Sequence, residues 1–122
     1  MENIGMGDFF KKTLKKKERI KKRKEIKEII KTGKRIVSPN YNIIYKENEK
    51  QRDRFAVIIT KRCGKAYIRN RTKRYYKEIL RKSRIHYPPY FDILVLPKSG
   101  IKNKDESDAR FIKIWLKKIK KY

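Results

Sequence analysis

Two periods run through the apolar residues of this chain, and the changes from one to the other mark out its elements. In KEIKEIIKTG, residues 24–33, Ile26, Ile29 and Ile30 fall at i, i+3 and i+4 with Lys and Glu around them. That spacing predicts a helix over residues 16–32 with one apolar stripe, which needs a sheet to lie on. Gly33 stands at the C-cap, where glycine supplies a left-handed conformation at little steric cost. Beyond Ser38-Pro39 the period changes to two. Residues 40–46 predict a strand with Tyr41, Ile43 and Tyr45 on one side and Asn42, Ile44 and Lys46 on the other. The polar run 47–53 predicts a hairpin connection. Residues 54–61, RFAVIITK, are apolar on both faces, which predicts a central strand.

The helical period returns after a turn at 62–68 that holds Gly64. Thr72, Tyr75, Tyr76, Ile79 and Leu80 mark the buried side of a second helix over 69–84, and two prolines between His86 and Tyr90 end it. FDILVL, residues 91–96, is a third strand closed by Pro97, and 97–104 is a loop. A third helix starts near Asp105 and runs to about 120, burying Ala109, Ile112, Leu116 and Ile119, with Phe111 and Trp115 on an adjacent edge. Asp105, Glu106 and Asp108 suit the positive end of its dipole, and lysines 117, 118, 120 and 121 suit the negative end. The order is α-β-β-α-β-α, a two-layer α/β sandwich in the α+β class. Residues 1–13 lack periodicity and are expected to be a flexible N-terminal extension; 14–122 form a single domain.

Charge changes the picture. The 122 residues carry a net charge of +25. Such a chain repels itself when alone and is attracted to nucleic acid or an anionic membrane. No apolar run approaches the roughly 18–20 residues of a spanning helix, and the N-terminus lacks the apolar region of a secretory signal. No membrane partner and a cytoplasmic location are the expectation. The single cysteine, Cys63, excludes an intramolecular disulfide and a cysteine metal site; it reads as a small turn or semi-buried residue, and the single histidine, His86, as structural or solvent-facing.

Candidate chemistry is sparse. Protein-side hydrolysis of a phosphodiester needs clustered carboxylates holding metal ions, or an acid–base pair with histidine. The thirteen acids are scattered along lysine-rich segments, and no P-loop, GxGxxG, CxxC or HExxH pattern occurs. No catalytic residue is therefore assigned. What the chain can do is bind. Residues 61–84 hold eleven Lys or Arg and a single acid, Glu78. Arg69 and Arg71 flank Asn70 near a helix start, where backbone N–H groups add to the attraction for phosphate. Arginine makes bidentate phosphate contacts, and asparagine can meet a base edge, a phosphate or a metal-bound water, which makes Asn70 the candidate for metal contact. A solvated basic helix face is the plain alternative, but like charges at i and i+4 destabilise a free helix, and Tyr67 sits among the cations. If roughly 6–10 phosphates are contacted, affinity should fall ~10³–10⁵-fold between 50 and 200 mM salt.

The segment 60–80, TKRCGKAYIRNRTKRYYKEIL, closely resembles the signature of the bacterial ribonuclease P protein component. That signature places Lys-Lys/Arg-x-Gly-x-Ala two residues before Arg-Asn-Arg-x-Lys-Arg, matched here by Lys61, Arg62, Gly64, Ala66, Arg69, Asn70, Arg71, Lys73 and Arg74. The resemblance covers about residues 19–120, including a helix ending in Lys-x-Gly (Lys31, Gly33) and the Ser38-Pro39 break. It implies an RNA catalyst that removes the 5′ leader of precursor tRNA using Mg²⁺ held mainly by the RNA, with no organic cofactor. It also implies a protein monomer in a 1:1 complex with the catalytic RNA subunit. The protein would dock on that RNA through Lys61, Arg62, Lys65, Arg69, Asn70, Arg71, Lys73, Arg74 and Lys77. The precursor-tRNA leader would lie in a cleft between helix one and the sheet, against Ile26, Ile30, Asn42 and Ile44. The family's β-α-β crossover is left-handed, opposite to the general rule. Two positions depart from the pattern: Ile26 and Ile30 stand where aromatic residues are usual, and Ala56 where a glycine is usual. A non-catalytic ribosomal protein or RNA chaperone, which charge alone permits, and a stand-alone nuclease are the alternatives.

Overall fold

The structure, a computed structural model, describes residues 18–85, 87–100 and 106–120. The expectations for the 1–13 extension, residues 16–17 of helix one, His86, the 101–104 part of the loop, Asp105, the Ala109 side chain and Lys121 lie outside the described residues. The elements run α1 (Arg23–Thr32), β1 (Lys34–Val37), β2 (Tyr41–Glu47), β3 (Arg54–Val57), a 3₁₀ turn (Lys61–Cys63), α2 (Ala66–Ser83), β4 (Phe91–Pro97) and α3 (Glu106–Lys120). The strands form one sheet in the order β1-β2-β4-β3, with β4 antiparallel to β2 and parallel to β3. The fold is α+β, and β3, α2 and β4 make the β-α-β crossover.

Strand alternation sorts the core into two clusters. Tyr41, Ile43, Phe55, Val57, Phe91, Ile93 and Val95 face α2 and α3, where they meet Tyr76, Ile79, Leu80, Ile112, Leu116 and Ile119. This is the expected sandwich, and Thr72 and Leu80 are wholly enclosed in it. The opposite parity, Ile44 and Leu94 with Ala56, Ile58 and Leu96, faces the Ile26, Ile29 and Ile30 stripe of α1. Helix α1 thus covers part of the sheet's second face, and Ile29 is its most deeply buried residue.

The structure corrects the sequence expectation at four places. Helix one begins at Arg23; residues 18–20 precede it as a strap along β3, where Arg19 bridges Phe55 and the Ile20 N–H donates to the Phe55 carbonyl at 2.9 Å. Ile20 is pulled into the α1-side core, so burial of one isoleucine overrides the helix propensity of the lysines around it. Second, β3 ends at Val57 and lies at the sheet edge, with β4 internal between it and β2, so residues 47–53 do not close a hairpin. It is apolar on both faces because helices cover both, while the strap shields its free edge. Third, β1 is an additional strand, exposed at three of its four positions, so no period-two signal announces it. Fourth, Gly33 has φ −76° and ψ 163°, ordinary extended backbone. Glycine is needed there for space: a Cβ would stand 2.6 Å from the Ile29 carbonyl oxygen and 2.9 Å from that of Tyr45.

Candidate nucleic-acid interface

The basic surface is built by a turn feeding a helix. Thr60 leaves β3 extended, the 3₁₀ turn follows, and Gly64 at φ 104° takes the conformation that only glycine adopts readily. The turn is fixed from beneath: Cys63 is buried, its thiol 3.8 Å from the Pro97 carbonyl oxygen, and Gly100 packs so closely on the Cys63 carbonyl that a side chain there would collide with it. Lys65 then starts α2 without a side-chain cap, and the first turn holds no acid. Arg69 N–H closes the first helical hydrogen bond onto Lys65 at 2.9 Å. The leading amides and the positive end of the dipole therefore face the same region as the cations.

Burial on one side of α2 decides where those cations go. Thr72, Tyr76, Ile79 and Leu80 take the sheet side, and the Thr72 hydroxyl donates to the Ile68 carbonyl at 2.8 Å. Lys61, Arg62, Lys65, Asn70, Arg71, Lys73 and Arg74 are exposed, with Arg69 and Lys77 half-buried. The turn and the first three turns of one helix bring all nine sequence-derived residues together. Among the described residues, Lys61, Arg62, Lys65, Arg69, Lys73, Arg74 and Lys77 take no part in an ion pair. The pattern changes at Glu78, which pairs with Arg81 and Lys82, and Arg84 donates to both Glu18 oxygens at 2.6 and 2.8 Å.

Sequence reasoning missed two members of this surface. Lys77 titrates below the ordinary lysine value because burial desolvates its ammonium and because Lys73, Arg19 and Lys21 add to the local positive field. Arg19 and Lys21, placed by the strap, thus extend the basic surface beyond α2. The Arg19 Nε is buried and meets no acceptor among the described residues. Nothing in the local sequence distinguishes Arg19 from its basic neighbours; the signal is Ile20, whose apolar side chain ties the strap to the core.

On the second sheet face, α1 is held at one end by ion pairs. Arg54 Nε and Nη2 donate to the two Asp92 oxygens at 2.8 Å each, and Nη2 reaches Glu25 of α1 at 3.1 Å. These carboxylates raise the Arg54 pKa further, with the Asp92 hydrogen bond the largest cause. At the other end, Asn42 lies in register between Val37 and Leu96. Its Oδ1 is buried without a donor among the described residues, and Val37 is 70% exposed. Ile26 and Ile30 are half-buried along α1, whereas Ile44 is wholly buried beneath them and can act only as the floor. The four candidate cleft residues therefore share one face of the sheet.

The described residues contain no group of three or more His, Cys, Asp or Glu able to hold a metal ion, and none of their helices is long and apolar enough to cross a membrane.

A small basic α+β domain that displays a cluster of lysines and arginines at the start of one helix is the class that this geometry defines. The family model described as Ribonuclease P matches residues 14–120. The ribonuclease P protein component of Petrotoga mobilis is 35% identical over 89 residues, 73% of this chain and 75% of that protein; the one from Syntrophus aciditrophicus is 34% identical over 97 residues, 80% and 82% of the two chains. The solved Staphylococcus aureus RNase P protein superposes with a TM-score of 0.69 at 25% identity, covering 85% of this chain and 95% of that one. The Thermotoga maritima RNase P protein gives 0.60 at 26% identity, covering 85% and 96%. The chain belongs to the ribonuclease P protein family, whose members are components of a tRNA-processing ribonucleoprotein.

Proposed function

We propose that this chain docks on the catalytic RNA subunit of ribonuclease P through the turn and the first three turns of α2, and assists that RNA in removing the 5′ leader of precursor tRNA. The observation that carries this reading is the set of cations outside any ion pair among the described residues: Lys61, Arg62, Lys65, Arg69, Lys73, Arg74 and Lys77 lie on the turn and the first three turns of α2. Such a set is costly alone and favourable against a dense polyanion. Leader contact is assigned to the α1 side of the sheet, to the half-buried Ile26, Ile30 and Asn42, with Ile44 wholly buried in the cluster that the two helix isoleucines join. Bond cleavage belongs to the RNA and to Mg²⁺ held mainly by it; Asn70, exposed on α2, is the protein group assigned here to a metal-bound water. The protein acts as one copy per RNA, in the cytoplasm.

The test adds the purified full chain to the matching RNA subunit at limiting Mg²⁺ and follows precursor-tRNA cleavage. Stimulation that requires both components is expected. Cleavage by protein without RNA, or no effect on the RNA's rate, would overturn the proposal.

A further inference from the structure

One residue of the docking surface sets an aromatic ring among the cations, and phosphate binding uses no ring. Tyr67, in the first turn of α2, is 65% exposed. Every other tyrosine among the described residues has a partner. Tyr41, Tyr75 and Tyr76 meet edge to face in the core, Tyr45 packs on Phe91, and the Lys120 ammonium lies over the rings of Tyr87 and Tyr90. Tyr67 has neither a ring nor an ammonium against it among the described residues, although its chain neighbours Lys61, Arg62, Lys65, Asn70 and Arg71 are all exposed with it. The rest of the first turn shows that burial was available: Ile68, one position on, packs over Gly64 and against Gly100.

The geometry points to Tyr67 as a stacking platform for an unpaired nucleobase, so that α2 docks where the RNA presents a single-stranded loop or bulge. An aromatic face binds any base, gains most from one not already stacked in a duplex, and needs cations nearby to hold the flanking phosphates. The surrounding cations meet that need, and the net charge of +25 disfavours a second copy of this chain as the occupant of the same face. This inference rests on the docking surface proposed above and adds to it the kind of RNA element recognised.

The experiment measures binding of the full chain to the matching RNA subunit, to a single-stranded RNA decamer and to a duplex of the same length, for wild type, Tyr67→Ala, Tyr67→Leu and Tyr67→Phe across a salt series. Tyr67→Ala and Tyr67→Leu should weaken binding to the RNA subunit and the single strand by about 5- to 150-fold, with the salt slope unchanged. Tyr67→Phe should stay within about twofold of wild type, and duplex binding should not move. Tyr67→Ala within twofold of wild type on the RNA subunit, Tyr67→Leu matching Tyr67→Phe, or equal losses on strand and duplex would overturn the inference. Loss of the phosphate-docking reading shows differently: Arg69→Ala/Arg71→Ala would leave the salt slope intact whatever Tyr67 does.

Discussion

Along α2 the same residue types occur in two settings. From Lys65 to Lys77 the stretch carries no acid and no side-chain cap, Lys65, Arg69, Lys73, Arg74 and Lys77 take no part in an ion pair among the described residues, and Lys77 is held below its ordinary pKa by burial and by Lys73, Arg19 and Lys21. From Glu78 to Arg84 the cations are matched: Arg81 and Lys82 against Glu78, Arg84 against Glu18 of the strap. The second setting recurs in the interior. Arg54 sits between Asp92 and Glu25, and Lys120 pairs with buried Asp53 at 2.8 Å while donating to the Tyr87 and Pro89 carbonyls. Matched cations hold the fold together; unmatched ones repel one another in the free protein and are the ones proposed to meet the RNA.

That contrast predicts opposite signs for similar substitutions. The largest effect belongs to Arg54→Ala, which leaves the Asp92 charge buried without its cation and with only the Asn48 amide donating to it at 2.9 Å; urea unfolding should show a loss of about 3–5 kcal/mol. Arg84→Ala, at the matched end of α2, frees the strap in a less enclosed site. A loss of roughly 1–3 kcal/mol is expected, with affinity for the RNA subunit little changed. Lys73→Gln/Lys77→Gln should do the reverse. Removing like-charge repulsion raises the free protein's thermal midpoint by roughly 1–4 °C, while binding to the RNA subunit weakens. If this pair instead lowered the midpoint, the unmatched cations would be structural and the contrast would fail.

The smallest effect is electrostatic and pH-dependent. The Arg81 hydrogen bond is the largest cause holding the Glu78 carboxyl below its ordinary value of 4.5, against some desolvation. A depressed carboxylate contributes stability above 4.5 that disappears as pH falls through its lower folded value. The Glu78 side chain is 44% exposed, so Glu78→Gln should cost under about 0.5 kcal/mol at neutral pH. The difference from wild type should close in acid-denaturation curves below that range.

The helices α2 and α3 were legible because each buries one face and leaves the rest wet, which writes a period into the sequence, and β4, buried on both faces, was legible as a short apolar run closed by Pro97. The nine candidate docking residues were picked out by charge and by the spacing around Gly64, Ala66 and Arg69-Asn70-Arg71, and the structure places them on one turn and the start of α2. Three features left no such trace. The strand β1 has too little burial to show alternation. Residues 18–22 carry helix-compatible lysines, and only the sheet edge beside them makes them a strap, so Arg19 and Lys21 went unassigned to the basic surface. Lys120 looked like a dipole-facing surface lysine, yet it is enclosed by Asp53, Tyr87 and Tyr90, partners 30 or more residues away in the chain. Pairings across such separations are set by topology, which no local pattern records.

The most direct test of the division within α2 is the salt dependence of affinity for the RNA subunit between about 50 and 200 mM, measured for wild type, Arg69→Ala/Arg71→Ala and Arg81→Ala. The account predicts that the first variant lowers the slope by about 1 per lost phosphate contact, about 2 in all, and that Arg81→Ala leaves it unchanged. Equal slopes for the two variants would contradict it.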